Sequence, residues 1–160
     1  MSALPQRIAV TGASGLIGSA LVGHLKSEGH TVQRLVRRLP VSPDEVQWDP
    51  ATGFVDTAAL AGVDAVIHLA GVGVGDKRWS KKYKAQILNS RLLGTEAIAK
   101  AVAEVKPQVF ISASAIGWYG ESGNRAVVES DRVGDDFLAA VCREWEAAAD
   151  IASPIRTVKL

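Results

Sequence analysis

The fold is decided by residues 7–25, which read RIAVTGASGLIGSALVGHL. A short apolar run, three glycines at intervals of three residues and apolar residues at helical spacing predict a strand, a tight turn and a helix. In this interpretation Gly12 allows the turn, Gly15 lets the backbone approach a phosphate, and Gly18 lets the helix lie close to the sheet. The free N–H groups and the dipole of such a helix attract anions, so the sequence predicts a dinucleotide pyrophosphate here. The residues of this segment predicted to bind the cofactor are Gly12, Ser14, Gly15, Leu16, Ile17 and Gly18.

Strand-like apolar runs alternate with longer helical patterns along the whole chain. The predicted strands lie near residues 7–12, 31–36, 45–48, 64–70, 108–113 and 155–160, and the main helices near residues 16–28, 79–104 and 135–150. This alternation indicates an α/β fold, a doubly wound Rossmann-type parallel sheet with helices on both faces. A chain of 160 residues with 48% hydrophobic content can bury one core. Because it ends inside a predicted strand, we expect residues 1–160 to be an NAD(P)-binding Rossmann domain, cut short before a C-terminal substrate domain.

Composition narrows the choice of partners and location. The net charge is +1 and no block of like charges stands out, so the sequence gives no electrostatic basis for binding nucleic acid or an anionic membrane. Cys142 is the only cysteine, which excludes an internal disulfide, and it is interpreted as a packed helix residue. We expect no metal site, no signal peptide and no membrane span, and therefore a small-molecule substrate and a cytoplasmic location.

The end of the second predicted strand bears on the choice between NAD(H) and NADP(H). An NAD ribose usually meets an acidic residue at this point, but no acid occurs between Glu28 and Asp44. The chain has Arg37 and Arg38 there instead, and a guanidinium suits the 2′-phosphate of NADP(H). The alternative is a pair of solvated loop arginines. The sequence favours NADP(H) over NAD(H).

Other candidate cofactor residues follow later strands of the predicted sheet. Asp49 is placed to accept a hydrogen bond from the adenine amino group, although an ordinary turn aspartate before proline fits the pattern nearly as well. The strand near residues 64–70 runs into small residues that permit close approach of a cofactor. The remaining predicted cofactor residues are Leu69, Ala70, Gly71 and Ser112. His68, within the same apolar run, is interpreted as a hydrogen-bonded core residue.

Several motifs together resemble the extended short-chain dehydrogenase/reductase superfamily. They are the glycine loop of residues 11–18, the strand of residues 64–71 ending in His-Leu-Ala-Gly, the Gly94-Thr95 pair, and the Ser-rich segment of residues 114–120 ending in Tyr-Gly. Further stretches resemble an atypical, epimerase-like subfamily whose reactions are mostly unassigned. These stretches are Lys77-Arg78-Trp79, Ser90-Arg91, residues 111–120, residues 136–138 and residues 142–146.

The resemblance implies a catalytic tyrosine followed one helical turn later by a lysine, and this chain lacks that pair. The corresponding stretch reads DFLAAVC at residues 136–142, and the usual catalytic Ser/Thr position falls on Ala115. The candidates left are Tyr119 as the proton donor, Ser112 or Ser114 as hydrogen-bond donors to a substrate carbonyl, and Arg91 with Lys77 or Arg78 for an anionic substrate. Each also has a purely structural interpretation, as a packed or solvated side chain.

Three functions are compatible with these observations. The first is an NADP(H)-binding, epimerase-like oxidoreductase of unknown substrate. The second is a non-catalytic NADP(H)-sensing regulator, and the third is a domain that binds another phosphate ligand. The helix near residues 135–150 carries an apolar stripe that suits either packing on the sheet or pairing of two subunits, so a homodimer is also possible.

Overall fold

The computed structural model describes residues 4–160, so residues 1–3 of the predicted domain lie outside the described part. Its strands are β1 (Arg7–Thr11), β2 (Thr31–Val36), β3 (Glu45–Asp49), β4 (Phe54–Val55), β5 (Ala65–His68), β6 (Val109–Ser112) and β7 (Thr157–Lys159). Its α-helices are α1 (Leu16–Ser27), α2 (Lys81–Val105) and α3 (Phe137–Ala149), with short 3-10 helices at Ile116–Tyr119 and Asp150–Ala152. None of these helices combines the length and the apolar character needed to cross a bilayer.

The strands form one sheet in the order β4-β3-β2-β1-β5-β6-β7. All neighbouring pairs are parallel except β3 and β4, which are antiparallel. The chain winds from β1 outward through β2 and β3, then crosses to β5 and winds outward in the other direction. The carboxyl ends of β1 and β5 therefore flank the point where the winding reverses, which is where open α/β sheets bind their ligands.

Alternation along the strands gives the sheet two buried faces. Ile8 and Val10 of β1 belong to one apolar cluster together with Val22 of α1. Ala9, between them, belongs to the opposite cluster, which includes Ile98 of α2. Alternate side chains of a strand point to opposite faces, so helices cover both sides of the sheet. The predicted doubly wound Rossmann-type fold is confirmed.

Capping residues explain where the helices begin. Ser80 accepts a hydrogen bond from the Tyr83 N–H, and Asp136 accepts one from the Ala139 N–H, so α2 and α3 each begin just after their cap. The predictions of helices near 79–104 and 135–150 were therefore two residues early at each start. The apolar stripe of α3 packs inward, with Val141 and Trp145 buried.

The strand β4 was not predicted. It has only two residues, too few for alternation to be visible, and it follows Gly53, whose φ is +75°. Its antiparallel pairing with β3 corrects the expectation of a wholly parallel sheet.

Candidate dinucleotide-binding site

The glycine segment after β1 packs directly against the segment that leaves β5. Gly12 has a φ of +67°, and a Cβ built on it would lie 2.9 Å from the carbonyl carbon of Leu69. A Cβ on Gly18 would overlap the carbonyl oxygen of Gly12. A residue without a side chain is required in three places: in the turn itself, where the segments that follow β1 and β5 come close together, and where α1 packs on the glycine loop. Gly12 thus has the turn-forming task predicted for it, whereas Gly18 lets α1 pack closely against the glycine loop rather than directly against the sheet.

The N-terminus of α1 opens at this crevice. The Gly15 N–H donates to the Gly12 carbonyl over 3.0 Å, and Gly15, as the N-cap, provides no side-chain hydrogen bond. The first turn contains no acidic residue. Leu16 and Ile17 are 92% and 69% exposed, respectively, and Ser14 is exposed beside them. The positive end of the helix dipole is therefore left uncompensated by the helix's own side chains.

The loop after β5 is held by side chains on two other elements, β1 and α2. Thr11 Oγ1 accepts hydrogen bonds from the N–H groups of Leu69 and Ala70, over 3.1 and 3.3 Å. Further along, the Val72 N–H donates to Ser90 Oγ over 3.1 Å. The Leu69–Ala70–Gly71 segment predicted to contact the cofactor therefore begins and ends at fixed points beside the glycine loop. This task of Thr11 was not predicted, although a hydroxyl at the last position of a buried strand was a usable signal.

Arg37 and Arg38, which follow β2, differ in their surroundings. Arg38 donates from its two terminal nitrogens to both carboxylate oxygens of Glu45, over 2.7 and 2.6 Å. The Arg38 guanidinium, helped by the Val41 N–H, lowers the pKa of Glu45 to about 2. The ion pairs of this connection use Arg34 and Arg38, and within the described residues they do not include the exposed Arg37. Glu45 was missed because it belongs to the next strand, where a buried carboxylate has no sequence signature.

Asp49, at the end of β3, forms a local turn. Its carboxylate accepts from the Ala51 N–H over 2.9 Å and from the Thr52 hydroxyl over 3.1 Å. Both oxygens keep further acceptor capacity, so the turn and the predicted adenine contact are compatible. Beside this turn is a cleft of about 460 Å³, a volume in the range of small-molecule sites. The hairpin, the loop after β5 and α2 contribute its walls, which include Pro50, Ala51, Val72, Gln86, Asn89 and Leu93.

The predicted hydroxyl candidates Ser112, Ser114 and Tyr119 lie at the end of β6 and just beyond it. Tyr119 is half-buried at the end of the 3-10 helix Ile116–Tyr119. The Ser114 hydroxyl donates to Glu146 of α3 over 2.5 Å. Ser112 is buried, and its hydroxyl donates to the neighbouring Ala113 carbonyl over 3.3 Å. Of these three hydroxyl groups, the one on Tyr119 is not engaged by a neighbouring carboxylate or carbonyl in the contacts found among residues 4–160.

Arg91 is packed between α3 and the loop after β5. Its guanidinium donates to the carbonyls of Val72 and Ile87 over 2.9 and 3.2 Å, and it lies 5.0 Å from the centre of the Trp145 ring. Burial lowers the pKa of Arg91 from its usual value. The side chain therefore connects α2 to the loop after β5, and its contact with an anionic substrate stays a prediction.

Comparison with known proteins gives consistent similarities. Residues 8–136 match the model of the NAD dependent epimerase/dehydratase family. An epimerase family protein of Mycobacterium leprae is 46% identical over 141 residues, which are 88% of this chain and 46% of that protein. The chain spans about half the length of the curated relatives it matches.

Two solved structures share the fold closely. The crystal structure described as a nucleoside-diphosphate sugar epimerase from Corynebacterium glutamicum has a TM-score of 0.84 and 39% identity, covering 98% of this chain and 33% of that one. The structure of human epimerase family protein SDR39U1 with NADPH has a TM-score of 0.82 and 30% identity, covering 96% of this chain and 52% of that one.

Proposed function

This chain belongs to the NAD dependent epimerase/dehydratase family, and from that premise we propose that it binds NADP(H) along the carboxyl edge of its sheet. We propose further that it is the cofactor-binding part of an epimerase-like oxidoreductase, which transfers hydride to or from a carbonyl or alcohol carbon. The observation that carries the proposal is the close packing of Gly12 against Leu69, directly in front of an uncapped helix N-terminus.

The residues present fit the pyrophosphate of a dinucleotide. A side chain at Gly12 or Gly18 would collide with backbone atoms of the crevice, so the chain keeps its backbone accessible where the phosphates would lie. The first turn of α1 offers N–H donors without a competing carboxylate. The exposed side chains of Leu16 and Ile17 flank this position and would be covered by the bound cofactor.

The adenosine end of the cofactor is assigned to the β2 and β3 side of the crevice. We assign the 2′-phosphate to Arg37, which is exposed and outside the local ion pairs, with Arg38 held next to it by Glu45. The cleft beside the Asp49 turn has room for the adenine ring. The NADPH bound to the human relative supports this choice of cofactor, since that structure is 30% identical to this chain.

The chemistry is assigned to the β6 side of the crevice. When bound, the nicotinamide supplies or accepts the hydride. Tyr119 is the residue assigned to hold the proton, which its hydroxyl gives to the substrate oxygen in reduction and takes back in oxidation. Ser114 and Arg91 are assigned positioning roles, because the first is bound by Glu146 and the second by backbone carbonyls.

A second candidate function is a non-catalytic NADP(H)-dependent sensor. The observation that favours it is the start of α3, because residues 136–142, the stretch that corresponds to the superfamily's catalytic pair, contain neither a tyrosine nor a lysine. A thiol is neutral or anionic, so Cys142 does not replace the lysine as a cation, and burial raises its pKa, which favours the neutral form. In this case the fold would bind the cofactor without transferring hydride.

The deciding experiment is a titration with NADPH and NADH, followed by energy transfer from tryptophan to the nicotinamide. The proposal predicts tighter binding of NADPH, and absence of binding by either nucleotide would overturn it. A subsequent search for NADPH oxidation with a panel of carbonyl compounds separates the oxidoreductase from the sensor, because only the oxidoreductase gives turnover.

A further inference from the structure

Three fully buried side chains form a hydrogen-bonded chain beneath the crevice. His68 of β5 lies between Thr11 of β1 and Thr95 of α2, and all three side chains are 0% exposed. The Thr11 Oγ1 to His68 Nδ1 distance is 2.7 Å, and the His68 Nε2 to Thr95 Oγ1 distance is 3.1 Å. These two hydrogen bonds thus connect β1, which carries the glycine loop, through β5 to α2.

The hydrogen bonds around Thr11 determine which group donates and which accepts in each of these hydrogen bonds. A hydroxyl has one proton to donate and two lone pairs to accept with. Thr11 Oγ1 accepts from the N–H groups of Leu69 and Ala70, which occupies both lone pairs. Its proton is therefore directed to His68 Nδ1, which must be unprotonated. The imidazole proton then lies on Nε2 and is donated to Thr95 Oγ1.

We propose that His68 is a positioning residue of the dinucleotide site, which fixes the Thr11 hydroxyl in the orientation that holds the Leu69–Ala70 segment against Gly12. The neutral Nε2–H tautomer is the only form that completes this arrangement. The imidazolium would present a second N–H to a hydroxyl whose lone pairs are already used, and the Nδ1–H tautomer would do the same. The effect on cofactor binding rests on the proposed function, whereas the tautomer and the fixed loop do not.

The surroundings keep the imidazole neutral and oriented. The Trp48 ring meets it edge to face, with ring centres 6.0 Å apart and planes at 89°. Burial lowers the pKa of His68 to about 4, since no solvent reaches the ring to stabilise the charged form. A histidine is also long enough to reach hydroxyl groups on two different elements, one through each ring nitrogen.

The first test is made on the protein without nucleotide. Nitrogen-15 NMR of the imidazole ring is expected to show the Nε2–H tautomer, and the Leu69 and Ala70 amides are expected to exchange slowly with solvent. A dominant Nδ1–H tautomer, or fast exchange of both amides, would overturn the proposal. Neither measurement depends on whether NADP(H) binds, so failure of the proposed function and failure of this inference give different results.

The second test compares Thr11→Val with Thr95→Val. Both variants remove one buried hydroxyl bound to His68, so a merely structural role predicts losses of stability without loss of NADPH affinity. Thr11→Val also removes the acceptor of the Leu69 and Ala70 N–H groups, so we expect it to speed exchange of both amides and to weaken NADPH binding by about ten-fold, the size of one lost buried hydrogen bond. Thr95→Val removes only the acceptor of His68 Nε2–H, so we expect a smaller effect of the same kind on both amides and on binding. Wild-type NADPH affinity in both variants, or a larger loss in Thr95→Val than in Thr11→Val, would contradict the inference. Thr11→Ser, which keeps the hydroxyl, restores the affinity and covers the case in which Thr11→Val does not fold.

Discussion

Arg38 binds both carboxylate oxygens of Glu45 and closes the connection between β2 and β3. The Val41 N–H donates to the same carboxylate over 2.9 Å, so Glu45 fixes the backbone that follows the two arginines. Arg37 precedes this fixed segment and is exposed. The two adjacent arginines therefore have different tasks, one in holding the connection and the other available to a ligand.

Arg37→Ala is expected to lower the affinity for NADPH by about 1.5–3 kcal/mol, the contribution of a hydrogen bond to a charged group. NADH lacks the 2′-phosphate, so its affinity stays unchanged and serves as the internal control. Fluorescence titration of both nucleotides against the wild type and the variant measures the difference. An equal loss for NADPH and NADH would place Arg37 outside the 2′-phosphate site.

Glu45→Gln tests whether the Arg38–Glu45 ion pair stabilises the fold, through the dependence of the free energy of unfolding on pH. Because the folded pKa of Glu45 is lowered to about 2, the carboxylate contributes stability above the pKa of the unfolded chain, near 4.5. This contribution is lost as the pH falls from there towards 2. Urea unfolding at a series of pH values should show a smaller decline for the variant than for the wild type. Parallel declines would mean that the Arg38–Glu45 pair does not stabilise the fold.

Gly18→Ala and Gly23→Ala form a matched pair within α1. A Cβ at position 18 would overlap the Gly12 carbonyl, whereas a Cβ at position 23 would have nothing within 4 Å. We expect Gly18→Ala to lower the free energy of unfolding by about 1–3 kcal/mol, as overpacking does, and to abolish nucleotide binding. Gly23→Ala is expected to raise it by about 0.5–1 kcal/mol through better helix propensity, with binding intact. Loss of binding in Gly23→Ala as well would show that the loss in Gly18→Ala is not caused by disturbed packing of the glycine loop.

The alternation of apolar runs and the three glycines were enough to predict the six parallel strands and the three α-helices, because these elements depend on local patterning, whereas the two-residue β4 was too short to show any. Thr11, Glu45 and Glu146 were not predicted, since their tasks come from partners on other elements. Thr11 meets the loop after β5, Glu45 meets Arg38, and Glu146 meets Ser114. These pairs can be recognised only once the arrangement of the strands and helices in space is known. Of the residues predicted for the site, the glycines were recognisable, because a position that tolerates no side chain must be occupied by glycine in the sequence itself.

His68 gives a second prediction about pH, with its own range. Its pKa is about 4 in the folded protein and near 6.5 in an unfolded chain, so only the unfolded chain takes up a proton between these values. The free energy of unfolding therefore falls by up to about 3 kcal/mol as the pH decreases from 6.5 to 4. The neighbours Thr11, Thr95 and Trp48 carry no charge that would offset this effect. His68→Asn should remove this part of the decline, as measured by urea unfolding between pH 6.5 and pH 4. The same decline in the variant and the wild type would show that the pKa of His68 is not lowered by folding.

Tyr119→Phe tests the assignment of the proton donor, with Tyr83→Phe as the matched control. The Tyr83 hydroxyl donates to the Gly73 carbonyl over 2.5 Å, so its removal leaves that carbonyl unpaired and lowers stability by about 1 kcal/mol. Removal of the Tyr119 hydroxyl is expected to leave stability and NADPH affinity unchanged, and to reduce kcat on any carbonyl substrate found by about 100-fold or more, the range of general acid catalysis. Because the proton is transferred only in the chemical step, KM should change little in this variant. Undiminished kcat in Tyr119→Phe would exclude Tyr119 as the acid, and the search would turn to the Ser114 hydroxyl, the other predicted candidate beyond β6, with its partner Glu146.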